Sequence, residues 1–571
     1  MQAVMRSANL IPQGCPMVCA APTIFTNARI VTLWEALPEV DAVSVVSGRI
    51  MHMGTLEEVR LACGNTAKEV DCGGGTLYPG FIDTHSHLSL YAGCISHVRC
   101  GAELGSVASV LEALRRWGDD HPEADWIIGY GYDDSGIGDK RHLARNDLDA
   151  VSRDRPVFVK HMSLHLGYAN TPALERLGIG RDSAVRGGEI YRDDAGTPTG
   201  VLAENAAFAA FAGLPSLGPG QFASNLRKAM AHYNAQGFTT IMDGGVDLDG
   251  APDRVMNAYM SLARSQELTA RIYLQFLPDI AERLASLGLW EWGDEHLAFG
   301  GVKCFADGSI QAYTAALEEE YFGRPGWRGE LVLEPDELER IVSRYHRLGV
   351  QVAIHVNGDR AVETALLAFE KAAAEWGRKG SSPLAPVERS TGPVPPLAPC
   401  KAPHMLVHAQ LATPAQIQRM RDCGVFPTFF ARHVTVFGER HRAIYLGPER
   451  AARLDPVGVC LRLGMPFGLH VDTPVLPPTA LGSMYSAVTR RTDAGNLLGE
   501  EFAIGPLDAL RAYTVHAARC CGGERDRGCL RPGLLGDFVV LSHDLEREDP
   551  LRWDEIKVYM TVCGGNIVFG A

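Results

Sequence analysis

Residues 77–88, with the sequence LYPGFIDTHSHL, constrain the fold of this chain more than any other segment. The apolar residues form a strand-like run that Pro79-Gly80 interrupts with a turn, and His85 and His87 stand two residues apart near its end. Side chains two apart on an extended strand point to the same side, so both imidazoles can reach one point. Neutral imidazole is the commonest protein ligand for zinc. The pattern therefore indicates either a metal site or two surface histidines.

Length and charge narrow the classes of protein that this chain can represent. Its 571 residues can bury a large core, and 46% hydrophobic with 21% charged residues is ordinary for a globular protein. The net charge of −14 argues against general affinity for nucleic acid or anionic membranes. The sequence contains no apolar run of transmembrane length. We therefore expect a cytoplasmic protein with a small-molecule substrate and no nucleic-acid or membrane partner; a homo-oligomer stays open.

Most of the chain alternates predicted strands with helical patterns, which is typical of a parallel sheet. After the strand in 77–88, further strands are predicted at 237–243, 270–276, 301–305, 350–355, 405–408, 425–430 and 466–472. This makes eight strands, the number in a (β/α)8 TIM barrel, where catalytic residues gather at the C-terminal strand ends. Residues 89–226 are too many for one connection and are predicted to form an inserted subdomain. Residues 377–403, rich in Pro, Ser and Gly, are predicted to be a flexible loop.

Further candidate ligands stand at or near the ends of predicted strands. His355, His408 and Asp472 each follow such an apolar run, and Lys303 lies inside the run GVKCF. A buried lysine shifts toward its neutral amine, which can add carbon dioxide to form a carbamate able to bridge two cations. The alternative for Lys303 is a side chain that reaches out of the strand or pairs with Asp307.

The order and content of several segments resemble the amidohydrolase superfamily, and more narrowly its amidohydrolase-3 group of YtcJ-like proteins and N-substituted formamide deformylases. The segments include YPGFIDTHSHL, HLGYANTPALERLGI, VKCFADGSIQAYTAAL, IHVNGDRAVETALLAFE, LVHAQLATPAQIQRM, HVDTPVLPP and GLLGDFVVL. The resemblance implies a barrel flanked by a discontinuous β-sandwich domain. That domain would comprise residues 23–76 and 530–571, and the barrel residues 77–529.

The same resemblance implies a binuclear metal centre and a hydrolytic activity. His85 and His87 would hold one ion, His355 and His408 the other, with carboxylated Lys303 as the bridge. Asp472 would bind the first ion and act as general acid and base. The mixed nitrogen and oxygen ligands of this centre favour two zinc ions, with manganese or iron as alternatives, and carbon dioxide would be the source of the carbamate. The expected reaction is hydrolysis of a non-peptide C–N bond in an amide, N-formyl compound or carbamate, by attack of metal-bound hydroxide.

Substrate contacts are predicted in the insertion and in the loops that follow the strands. One departure from the family's usual Gly-Ser-Asp is the His470-Val471-Asp472 run, whose extra imidazole could contact substrate or metal or serve as a hydrogen-bonded neighbour. A decarboxylase, deaminase or isomerase on the same metals stays open, as does a non-catalytic assembly protein. The candidate substrate-binding residues are His165, Asn170, Asp307, Arg360, His433 and His470.

Overall fold

The computed structural model describes residues 21–246, 248, 251–289, 292–377 and 402–570. The flexible loop predicted at 377–403 therefore lies almost entirely outside the described residues. Eight parallel strands form one sheet in chain order, which confirms the predicted barrel. They are β1 Phe81–Ser86, β2 Phe238–Gly244, β3 Arg271–Phe276, β4 Leu297–Phe305, β5 Val352–Val356, β6 Met405–His408, β7 Phe426–Phe429 and β8 Gly468–Leu469.

Side-chain and backbone hydrogen bonds join the first and last strands of this sheet. The Thr84 hydroxyl donates to the Leu469 carbonyl at 3.0 Å, and the Asp472 amide donates to the His85 carbonyl at 3.3 Å. Buried Asp83 accepts from the Val471 amide at 3.2 Å, so β1 and the segment after β8 are held together. The barrel thus brings the His-x-His segment next to Asp472.

Helices surround the barrel and cover its apolar strands. Several begin with proline in the first turn, where the missing N–H has no intrahelical partner to lose. Among the described residues, no helix is long and apolar enough to cross a membrane. The helices from the insertion onward are Asn205–Ala212, Pro219–Asn234, Pro252–Arg264, Pro278–Ser286, Pro335–Arg347, Asp359–Gly377, Pro414–Cys423, Gly438–Arg440, Gly447–Ala452, Val457–Arg462, Ala480–Thr489, Pro506–Ala512 and Val515–Cys520.

Two further sheets, built from both chain ends, form the predicted discontinuous β-structure beside the barrel. A four-stranded sheet contains Thr23–Thr26, Ala42–Val46, Arg49–Gly54 and Lys68–Asp71, with the helix Leu56–Cys63 packed against it. A six-stranded sheet contains Arg29–Val31, Glu39–Val40, Thr76–Pro79, Phe538–Leu541, Val558–Cys563 and Asn566–Phe569. Thr76–Pro79 pairs with Phe538–Leu541, so the segment that leads into β1 is itself a sandwich strand.

A buried ion pair connects this β-structure with the barrel. The Arg271 guanidinium, on β3, donates to both carboxylate oxygens of Asp537, at 2.7 and 2.9 Å. The Gly564 amide donates to Asp537 at 2.7 Å. Burial alone would raise the pKa of the Asp537 carboxyl, but the Arg271 guanidinium lowers it. The pair fixes the end of the barrel opposite the C-terminal strand ends.

The long interval after β1 folds as a subdomain with its own six-stranded sheet and core, as predicted. Its last strand is followed by the helix Asn205–Ala212, and Pro219–Asn234 already packs on the barrel helices Leu88–Cys94 and Pro252–Arg264. The sheet contains Val98–Arg99, Ile127–Tyr132, Val157–His161, Leu166–Ala169, Gly188–Arg192 and Pro198–Glu204, and the other helices are Val107–Asp120, Arg145–Asp149 and Thr171–Arg176.

Candidate metal centre

Three buried ligand groups converge where β1 meets the segment after β8. The Asp472 Oδ1 atom lies 3.5 Å from His85 Nε2 and 3.5 Å from His87 Nε2. Tetrahedral zinc with ligands at about 2.1 Å places those ligands about 3.4 Å apart, which matches this spacing. Asp472 Oδ1 is buried and has no hydrogen-bond partner among the described residues. A divalent cation would satisfy this oxygen, so the group fits a metal.

A backbone contact orients the His87 imidazole. His87 Nδ1 lies 2.5 Å from the Gly244 carbonyl, which leaves Nε2 as the ligand atom. Burial lowers the pKa of His87 to about 4 and that of His85 well below its usual value. Metal binding requires neutral imidazole, and burial favours that form in both residues.

Lys303 lies beside this group, at the fully buried centre of the barrel. Its Nζ atom is 3.3 Å from His85 Nε2. Burial lowers the pKa of the Lys303 amine, while the nearby Asp472 carboxylate opposes that shift. The neutral amine is the form that reacts with carbon dioxide, so the environment favours the predicted carbamate.

His355 and His408 form a second pair of imidazoles on β5 and β6. His408 Nε2 is 3.0 Å from His355 Nδ1, so these two nitrogens face one point. His355 Nε2 lies 3.0 Å from the Gly308 carbonyl, which fixes the orientation of its ring. Burial lowers the pKa of both imidazoles well below the usual value. The pair is the predicted ligand set for a second ion, and burial favours the neutral imidazoles that metal binding requires.

The backbone is strained at two of these positions. His408 has a φ of 71° and Asp472 a φ of 53°, both in the left-handed region that non-glycine residues avoid. Such conformations cost about 1–3 kcal/mol each and cluster at functional sites. His408 is the last residue of β6, and Asp472 lies three residues after the end of β8 at Leu469, which is earlier than the predicted 472.

A small cavity of about 60 Å³ opens directly above the ligands. His355, His408 and Asp472 line it, and Asp472 is the only acidic group among the described lining residues. We call it the inner cavity. A second cavity of about 300 Å³, the outer cavity, adjoins it, since Met162 and Val475 line both. The outer cavity is polar, with side chains of both charges on its wall, including Arg99, Glu103, Asp133, Arg440 and Asp493. The two together are large enough for a small organic substrate.

The predicted substrate-binding residues fall into two groups. His165 and His433 line the inner cavity. The other positions lie outside the described lining of both cavities. Asn170 caps a subdomain helix, its side chain accepting from the Ala173 amide at 2.9 Å. Asp307 accepts from three backbone amides and so holds two loops together, and Arg360 lies at the start of the helix Asp359–Gly377.

His470 occupies the barrel interior below the cavity. Its ring is fully buried and stacks on Phe430 at 5.6 Å, with ring centroids 5.4 Å from His85 and 4.9 Å from His408. Neither ring nitrogen makes a hydrogen bond within the described part of the chain. Burial lowers the pKa of His470 well below its usual value, which favours the neutral ring. This placement makes His470 a neighbour of two ligand imidazoles.

Two carboxylates outside the predicted substrate-binding set pair with the cavity imidazoles. His165 Nδ1 is 2.9 Å from Glu204 Oε2, and His433 Nδ1 is 3.2 Å from Asp455 Oδ1. Glu204 follows a recognisable strand, but nothing in the sequence pairs it with His165. Asp455 sits in a helix-connecting turn, where acidic residues are common, so its pattern carries no functional signal.

Comparison with known proteins identifies the family. Residues 68–569 match the sequence profile of the Amidohydrolase family. The chain belongs to this family. The family profile spans the whole barrel and all six candidate ligand positions, and it supports a metal-dependent hydrolase as the class of activity.

Individual relatives agree with this assignment. The chain is 27% identical to the putative amidohydrolase YtcJ of Bacillus subtilis over 555 residues, covering 96% of this chain and 99% of that one. It is 29% identical to the N-substituted formamide deformylase of Arthrobacter pascens over 531 residues, covering 91% and 93%. An uncharacterized metal-dependent hydrolase from Pyrococcus horikoshii OT3 has the same fold, with a TM-score of 0.73, 24% identity and coverage of 93% and 99%.

Proposed function

We propose that this protein hydrolyses a non-peptide C–N bond in a small amide, N-formyl compound or carbamate, using divalent metal held by its six candidate ligands. The observation that carries the proposal is the Asp472 carboxylate oxygen, buried without a hydrogen bond among the described residues, 3.5 Å from the Nε2 atoms of both His85 and His87. The ligand set would be His85, His87, Lys303 as its carbamate, His355, His408 and Asp472. Zinc suits these mixed nitrogen and oxygen donors, with manganese or iron as alternatives.

When bound, the metal would lower the pKa of a water molecule and polarise the scissile carbonyl. The chain's own contribution is proton transfer and orientation. Asp472 is the acidic group that reaches the cavity, and burial raises the pKa of its carboxyl toward the range of a useful general base. It would take the proton from the attacking water and return it to the leaving nitrogen. His165 and His433 line the same cavity, which supports a role for both in contacting the substrate.

The two cavities support a division of the substrate. The inner cavity of about 60 Å³ accommodates a small acyl group, such as formyl or acetyl, beside the ligands. The outer cavity of about 300 Å³ would take the larger group on the nitrogen. The relative in Arthrobacter pascens is named as an N-substituted formamide deformylase, which is consistent with this division.

A substrate screen tests the proposal. Purified protein is incubated with matched N-formyl, N-acetyl and carbamate derivatives of the same amines, and released amine is measured with and without a chelator. We expect release from at least one class, lost on chelation and restored by zinc or manganese. Release of carbon dioxide or ammonia with the amide bond intact would instead indicate a decarboxylase or deaminase.

A further inference from the structure

His433 lines the inner cavity, and its Nδ1 atom faces a buried carboxylate. It follows β7, and its ring centroid is 6.2 Å from that of the ligand candidate His408. Its Nδ1 atom lies 3.2 Å from Asp455 Oδ1, and Asp455 is fully buried. Phe430 and Phe437 pack against the ring at 4.8 and 6.0 Å and restrict its rotation. The imidazole therefore has a fixed orientation.

The backbone around Asp455 is held by several hydrogen bonds. The Asp455 amide donates to the Gln410 carbonyl at 2.9 Å, and its backbone adopts a φ of 47°. The buried Arg490 guanidinium donates to the Asp455 carbonyl at 3.1 Å and to the Leu454 carbonyl at 2.6 Å. Burial raises the pKa of the Asp455 carboxyl, while His433 and Arg490 oppose this shift and favour the ionised form. The Nδ1 atom of His433 faces a carboxylate oxygen at hydrogen-bond distance, and a carboxylate oxygen accepts, so this contact favours the neutral tautomer with its proton on Nδ1.

We propose that His433, fixed in its Nδ1–H tautomer by Asp455, accepts the N–H of the scissile amide or carbamate through Nε2. In neutral imidazole, protonation of Nδ1 leaves Nε2 as an acceptor. No described residue donates a hydrogen bond to Nε2, so the cavity supplies its partner. The substrates are then secondary amides or carbamates with one hydrogen on nitrogen, and fully substituted nitrogens are rejected. This inference rests on the proposed function and narrows its substrate class.

The contact also orients the reacting nitrogen. The N–H bond of the substrate nitrogen points at His433. The lone pair that develops on this nitrogen when the carbonyl is attacked therefore points to another part of the cavity. Asp472 lines the same cavity and is the group proposed to protonate that lone pair. A polar site that hydrogen-bonds a substrate N–H discriminates strongly against an analogue without one, since the buried acceptor is then unpaired.

The chain offers a matched control for this test. His165 also lines the inner cavity, and its Nδ1 atom is 2.9 Å from Glu204 Oε2. Glu204→Gln removes a carboxylate from a cavity imidazole in the same way as Asp455→Asn does. The two variants release different imidazoles of the same cavity. The inference predicts that only Asp455→Asn changes discrimination at the nitrogen.

The experiment compares N-butylformamide with N-butyl-N-methylformamide in metal-loaded wild type, Asp455→Asn, Glu204→Gln and His433→Gln. Both kcat/KM and binding by isothermal titration are measured, so discrimination is recorded even if neither compound is cleaved. Wild type is expected to favour the secondary amide about 10- to 100-fold in binding or in kcat/KM. Because an asparagine side chain can donate to Nδ1 and place the proton on Nε2, Asp455→Asn should reduce this ratio at least fivefold. Glu204→Gln should keep the ratio, whatever its rate.

A spectroscopic readout separates orientation from general damage. Protein labelled with ¹⁵N-histidine should show His433, assigned by loss of its signal in His433→Gln, with Nδ1 protonated and Nε2 unprotonated. The Asp455→Asn variant should show the opposite tautomer. Equal binding or turnover of the two amides by wild type, absence of binding, or a ratio that survives Asp455→Asn would overturn the inference. Binding preference without cleavage would retain it while refuting the hydrolytic function.

Discussion

Replacing Asp472 by asparagine separates catalysis from metal binding. Asparagine keeps the size of the side chain and one oxygen, but it cannot accept a proton near neutral pH. No other acidic group among the described residues lines the inner cavity, so no neighbouring carboxylate can substitute. General acid–base groups contribute about 10²–10⁴-fold, or about 2.7–5.4 kcal/mol of barrier. We expect kcat to fall within this range, with at least one ion retained by the remaining ligands.

The assay has three parts: turnover on a substrate from the screen, metal content, and thermal denaturation of metal-free protein. Burial raises the pKa of the Asp472 carboxyl, so its ionised form destabilises the metal-free fold at neutral pH. The metal-free Asp472→Asn variant should therefore be at least as stable as metal-free wild type. Near-normal turnover in Asp472→Asn, combined with loss of turnover in His470→Ala, would show that the base is assigned to the wrong residue.

Two further variants test the bridge and the connection between barrel and sandwich. Lys303→Ala should lose activity with an unchanged circular dichroism spectrum, and added propionate should restore a measurable part of it; wild-type turnover would remove the carbamate from the mechanism. Asp537→Ala leaves the buried Arg271 charge with only its 3.8 Å contact to the Glu295 carboxylate and should cost up to about 3–5 kcal/mol of unfolding free energy in denaturant titrations. Arg271 lowers the pKa of the Asp537 carboxyl in the folded protein below its unfolded value of about 3.9. The wild-type protein therefore has the full stabilisation at pH values above about 3.9 and loses it as the pH falls through the lower folded-state pKa. An Asp537→Ala protein as stable as wild type at pH 7 would refute this role of the pair.

The fold could be predicted because the apolar sequence patterns of its strands and helices are periodic and local. Apolar runs bounded by glycine mark buried parallel strands, and β6 has the same bounds in sequence and structure, Met405–His408. Strand ends were less predictable. β4 begins at Leu297, earlier than the predicted 301, because Gly301 takes a φ of 140° and lets the strand continue through a register shift. Glycines that interrupt an apolar pattern hide such a continuation.

The site residues could be predicted only where a metal-ligating side chain stands at the end of a recognisable strand. Histidines after apolar runs are conspicuous, and the structure places His85, His87 and Asp472 within one small space. Asn170 shows the limit of the approach, since a polar residue after a strand equally suits a helix cap, which is where the structure places it. His433 and Asp455 are 22 positions apart in the sequence and meet only through tertiary packing, so no local sequence pattern predicts the pair.

Metal analysis of active wild-type protein tests the central claim most directly. Metal content, measured by mass spectrometry on protein of known concentration, and turnover are both determined at three stages. The stages are before chelation, after chelation and after zinc has been added back. We predict about two divalent ions per chain, with activity that follows metal content in both directions. One ion with an unmodified Lys303 would reduce the centre to a mononuclear site. Full activity in protein without divalent metal would contradict the account.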